Sequence, residues 1–141
     1  MLKFIARLAI SSVLIYGGQA AAREPGGRGV AVQKLSAKAG ITLDDKEAAT
    51  VVKLNGAAMV GAGATFALGI LPRLSAVALI ASLVPTTVAG HAFWEQEDPA
   101  ARANHQIHFL KNLGVVGGLL MFLAQGPQPK AAKPSRVRKA R

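Results

Sequence analysis

An all-α, integral membrane four-helix bundle is the fold this sequence predicts, and three observations predict it. Of the 141 residues 51% are hydrophobic and only 17% charged, with a mean hydropathy of +0.33, whereas a soluble domain carries about a quarter charged residues. Four stretches are long and apolar enough to cross a hydrocarbon core about 30 Å thick, which takes roughly 20 helical residues. None of them alternates with period two, which sets a β-barrel aside.

The first stretch runs from Phe4 to Ala22. Lys3, Arg7, the apolar run and Ala20-Ala21-Ala22 also imitate a secretory signal peptide, but Ser11, Ser12 and Tyr16 interrupt the run, so a retained helix is expected. Arg7, about a turn inside, is expected to snorkel to the cytoplasmic head groups. A polar, Gly-rich strip from Arg23 to Ala48 leads to the second stretch, Ala49 to Leu71. Just ahead of it, Thr42-Leu43-Asp44-Asp45 reads as an N-cap with an acid at N3. Leu71-Pro72-Arg73 is the whole break before the third stretch, Leu74 to Ala92, and forces a tight antiparallel hairpin. Pro85 predicts a kink there, with Thr86 and Thr87 placed to satisfy freed backbone groups. After a charged strip, Phe93 to Gln106, comes the fourth stretch, Ile107 to Leu123. Asp98-Pro99 fits an N-cap followed by Pro at N1, so this helix is expected to start near Pro99. Ala57 with Gly61 and Gly114 with Gly118 are small-xxx-small pairs, read as packing within the bundle, with homodimerisation as the alternative.

These spans form one unit over residues 1–125. The remainder, 126–141, has Pro127, Pro129, Pro134, six basic residues and no acid, and is expected to be disordered. Lys130, Lys133, Arg136, Arg138, Lys139 and Arg141 would draw it to anionic lipid or simply fix topology.

A formal charge of +10 arises from 17 Lys and Arg against 7 Asp and Glu. Without aromatics interleaved among the basic residues, this charge fits cationic membrane loops better than a nucleic-acid surface. Nine basic residues fall on the side of both termini and eight on the other, together with all seven acids. The Lys/Arg rule therefore places the termini in the cytoplasm by a narrow margin. Cysteine is absent, which excludes disulfides, iron–sulfur clusters and thiol nucleophiles. No serine sits in a nucleophile elbow, and Gly26, Gly27 and Gly29 follow no strand.

Polar residues inside or beside the spans are the informative ones, since ionised groups are costly at bilayer depth. Asn104, His105, His108, Lys111 and Asn112 recur at helical spacing and form one stripe on the fourth helix. Lys53 and Asn55 enter the second helix at similar depth, Gln19 closes the first span, and His91 ends the third, followed by Trp94, Glu95 and Glu97. Together they suggest a pocket at the outer interface for a polar head group, a quinone ring or a proton relay. His108 and Lys111 would donate to a carbonyl oxygen, with Glu95 pairing with Lys53 or Lys111. The alternative is interfacial snorkelling and capping of helix ends. His91, His105 and His108 also raise a metal or haem site, but His105 and His108 at i, i+3 lack the i, i+4 spacing of metalloprotease helices.

Val84-Pro85-Thr86-Thr87-Val88-Ala89-Gly90-His91-Ala92-Phe93-Trp94, then Phe109-Leu110-Lys111-Asn112-Leu113-Gly114 and Gly117-Gly118-Leu119-Leu120, resemble the DoxX family of small bacterial membrane proteins. Gly17-Gly18, Leu54-Asn55-Gly56 and Pro72-Arg73 precede them in the same order, so the resemblance spans roughly residues 4 to 124. It implies a four-helix bundle in a bacterial plasma membrane. It also implies association with a terminal quinol oxidase, with thiosulfate-to-quinone electron transfer or, in mycobacteria, with a redox assembly of superoxide dismutase and a sulfurtransferase. The Ala-, Gly- and Arg-rich composition resembles that of actinobacterial proteins. The resemblance brings no agreed catalytic set, although His91, Trp94, Lys111 and Asn112 fall in its motifs.

The expected function is an accessory or anchoring subunit of a membrane oxidoreductase assembly, with redox proteins as partners and a quinone or lipid site at the outer interface. A small redox enzyme or carrier using the His/Glu/Lys cluster, and a lipid-binding helper protein, are the alternatives.

Overall fold

The computed structural model describes residues 1–126. The proline-rich basic tail lies outside them, and with it the expected lipid-binding residues Lys130 to Arg141. Five α-helices follow in order: α1 (Leu2–Arg23), α2 (Arg28–Lys38), α3 (Asp45–Leu68), α4 (Pro72–Gly90) and α5 (Pro99–Ala124), with a short 3₁₀ turn at Phe93–Glu95. Among the described residues there is no strand. α1, α3, α5 and the segment Pro72–Glu95 are each long and apolar enough to cross a membrane.

Local chemistry sets the helix starts. Asp44 caps α3: its side chain accepts from the Glu47 N–H at 2.7 Å, and the Glu47 carboxylate accepts from the Asp44 N–H at 2.9 Å. The cap thus lies two residues after the Thr42 expected from sequence: three residues beyond Asp44 stands Glu47, whose longer side chain reaches back to the cap N–H, whereas Thr42 is followed at that spacing by the shorter Asp45. Asp98 caps α5 as expected, accepting from Ala101 N–H at 2.7 Å ahead of Pro99 at the first helical position. Pro72 is not part of the α3–α4 break. It opens α4, where its fixed φ suits N1, and the turn is made by Gly69 at φ +75 and Leu71 at φ +46.

α3 is the centre of the packing, with α1 on one flank and α4 on the other, and α5 packs on α4. The α1 seam recurs at heptad-like spacing as Ser11, Leu14, Gly18 and Ala21, all buried. A Cβ on Gly18 would stand 2.7 Å from the Gly56 carbonyl oxygen, and one on Gly56 would stand 2.6 Å from that of Gly18. The two backbones touch there, which only glycine permits. Further along, Gly63 leaves room for Ile15. One apolar core then joins Leu14, Met59, Phe66, Ala76, Leu79, Leu83 and Leu119, with Phe122 edge-on to Phe66 at 5.1 Å.

The small pairs singled out from sequence pack less than expected. Ala57 and Gly114 are exposed, and a Cβ on Gly61 or Gly114 would meet nothing within 4 Å; only Gly118 touches another helix, at Ile10. Spacing alone does not distinguish an inward from an outward stripe.

The strip between the first two spans contains a helix that its glycines concealed. α2 has no fully buried residue, but Ala31, Val32, Leu35 and Ser36 are half-buried against α3 and α4. Gln33 donates to Leu43 O and Asp45 Oδ1, and Lys38 pairs with Glu95 at 2.6 Å. One end of the bundle, the α2 end, thus carries this helix and the 3₁₀ turn; the opposite, turn end carries Met1, the α3–α4 turn and the last residues of α5.

Candidate functional site at the α4–α5 seam

Pro85 lacks the N–H that would bond Ala81 O, yet α4 continues through it. The two threonines that follow donate to carbonyls one turn back, Thr86 to Ser82 and Thr87 to Leu83, both at 2.7 Å. Their hydroxyls also accept. Asn55 of α3 donates to Thr86 at 2.9 Å, and the buried Asn112 of α5 donates to Thr87 at 3.0 Å. Both asparagine amides are therefore engaged in tying helices together.

One turn beyond Thr87, the same seam becomes a histidine cluster. The His91 ring stacks on that of His108, with centroids 5.1 Å apart and planes 17° from parallel, and the His105 ring lies 5.7 Å from His91. Lys111 Nζ stands 3.4 Å from His108 Nδ1. The Nδ1 atoms of His91 and His105 are buried without a hydrogen-bond partner. All three imidazoles are half-buried, and Lys111 is exposed. His105, His108, Asn112 and Leu119 form one α4-facing seam, polar at the α2 end and apolar beyond it, while Asn104 points outward. The polar stripe read from sequence thus divides between a packing seam and an exposed edge.

The remaining candidates stand apart. Gln19 and Lys53 are exposed on α1 and α3. Glu95 pairs with Lys38 of α2 instead of Lys53 or Lys111, because α2 carries its own lysine across to the 3₁₀ turn. Trp94 packs edge-on to Phe93 and Phe109, with centroids 5.1 and 5.8 Å away, and remains half exposed. Sequence reasoning missed Lys38 entirely, since finding it required recognising α2; the half-apolar run Val30 to Leu35 was the available signal.

The Lys111 ammonium is a hydrogen-bond donor, and each imidazole offers a donor or an acceptor according to its tautomer. The cluster does not form a metal cage: coordinating lone pairs lie in the ring plane, so those of the stacked His91 and His108 run side by side, and among the described residues no three His, Asp or Glu are placed to hold an ion. Two shallow open depressions lie elsewhere, one lined by Leu43, Lys46, Glu47, Thr50 and Val51, the other between α3 and α4 beside the Thr65–Ser75 hydrogen bond.

The sequence model of the DoxX family matches residues 2–92, from the start of α1 to just past α4. α5, with His105, His108 and Lys111, lies beyond the matched segment. No curated protein and no solved structure matches the chain. With most of the chain matched and four helices able to cross a bilayer, this is a multi-pass membrane protein that belongs to the DoxX family.

Proposed function

We propose that the chain is an accessory or anchoring subunit of a membrane redox assembly that holds a quinone-type ring or lipid head group at the α2 end. The observation that carries this reading is the meeting of three imidazoles and an ammonium on the α4–α5 seam, with two ring nitrogens buried and unpartnered. Imidazole N–H and ammonium groups donate to a carbonyl oxygen, and the half-buried seam lowers competition from water. Family membership supports the redox setting, because DoxX proteins are associated with membrane oxidoreductase roles. On this reading the protein sits in a bacterial plasma membrane with its termini in the cytoplasm and the cluster at the outer head groups.

Gentle-detergent purification from the native membrane, followed by mass spectrometry for partner chains and quinones, tests the proposal. Stoichiometric redox subunits are expected, and His108→Leu or Lys111→Leu should deplete a co-purifying quinone or lipid. A chain isolated alone and free of quinone overturns the reading. Ligand and partner retention in both variants removes the cluster from it.

A further inference from the structure

At the turn end of the bundle, Arg7 is a cation inside a membrane-crossing helix with no counter-charge among the described residues. It lies five residues after Leu2, roughly 7–8 Å along α1. Its side chain is half-buried and lies against α3, where Gly69 makes room for it: a Cβ there would stand 3.1 Å from Nη2 and 3.3 Å from Cζ. The side chain expected to snorkel thus rests beside the α3–α4 turn. Arg7 Nε is buried and unpartnered, and no hydrogen bond or ion pair joins Arg7 to another described residue. The adjacent α3 carbonyls of Thr65 and Phe66 are already closed by the N–H groups of Ile70 and Gly69.

All seven Asp and Glu lie at the other end of the bundle. The first along α1, Glu24, is 17 residues from Arg7, about 25 Å at the helical rise. Lys3 on α1 and Arg73 at the start of α4 add further positive charge at the turn end. A partly buried charge without a partner is costly, and a guanidinium fork matches phosphate oxygens in pairs. We infer that Arg7 binds the phosphate of an anionic phospholipid, held against the Gly69 turn. A lipid is favoured over a free anion because Phe4, Ile5 and Leu8, around Arg7 on α1, are exposed apolar side chains suited to hydrocarbon. The inference is independent of the redox reading, since it concerns the opposite end of the molecule and needs no partner chain.

The test uses the delipidated full-length chain in mild detergent, with native mass spectrometry counting adducts of phosphatidylglycerol, phosphatidylcholine or inorganic phosphate. Wild type should retain phosphatidylglycerol in preference to phosphatidylcholine and bind no inorganic phosphate. Arg7→Gln should lower phosphatidylglycerol retention about fivefold, while the charge-matched Arg73→Gln has a smaller effect. Equal loss in both variants means diffuse attraction and overturns a site at Arg7, as does a wild type without head-group preference. Phosphate binding that matches the lipid overturns the lipid assignment. If Arg7→Gln loses its helical circular dichroism, Arg7→Lys is compared with Arg73→Lys: loss of the guanidinium fork should lower retention only at position 7, and unchanged retention there overturns the proposal.

Discussion

At the scale of single residues, the least replaceable positions are those where no side chain fits. Gly18 and Gly56 bring the backbones of α1 and α3 into contact, so any Cβ at either must force them apart. Gly56→Leu is expected to cost about 3 kcal/mol, the upper range for overpacking, read as a loss of folded fraction in a denaturation series. Gly61→Leu, on the same helix but facing open space, should be nearly neutral in the same assay. The small-xxx-small reading of the sequence picked Gly61, with Ala57, and passed over Gly56, because spacing does not say which face of a helix meets a partner. The asparagines illustrate the same limit. Asn55 and Asn112 look like ligand donors when depth is all that is known, and become interhelical ties once Thr86 and Thr87 stand opposite them.

Elements were more legible, because their signals are local. The apolar runs, the Asp98-Pro99 start and the α3–α4 hairpin can all be read without knowledge of neighbours. The reciprocal Asp44–Glu47 cap sits where polar loop becomes apolar helix, and Asp44→Ala should cost about 1 kcal/mol and fray the first turn of α3, visible as faster amide exchange at residues 45–48. α2 was concealed because its stability comes from contact with α3 and α4, not from a long apolar face. Its attachment includes the exposed Lys38–Glu95 pair, and exposed pairs hold little. Glu95→Gln should therefore speed hydrogen exchange through residues 28–38 only slightly, by at most about fivefold, without altering exchange in the core of α3. If both segments accelerate together, α2 is an integral layer of the bundle and not a separable cap.

For the whole molecule, what matters is which side chains meet lipid. Fold class followed from composition and span length, which report solvent preference directly, but the outward faces required the structure. Leu110, Leu113, Leu120 and Met121 are exposed on α5 while Leu119 is fully buried. Leu113, near the middle of α5, is thus a lipid-facing position, and Leu113→Arg should raise the cost of insertion by about 2.5–3.5 kcal/mol, measured in a translocation reporter as a fall in the membrane-spanning fraction. Insertion unchanged by the arginine would mean that this face meets protein or water and not lipid.

Thr86 and Thr87 are consecutive, so their hydroxyls leave α4 about 100° apart around its axis, one toward α3 and the other toward α5. Two such anchors fix the azimuth of a helix as a pair of guy-lines fixes a mast: swivelling α4 to favour one bond lengthens the other. The histidine at its tip therefore inherits a set bearing toward α5. Replacing either threonine with valine would act first on the aim of His91, and only second on whether the bundle holds together.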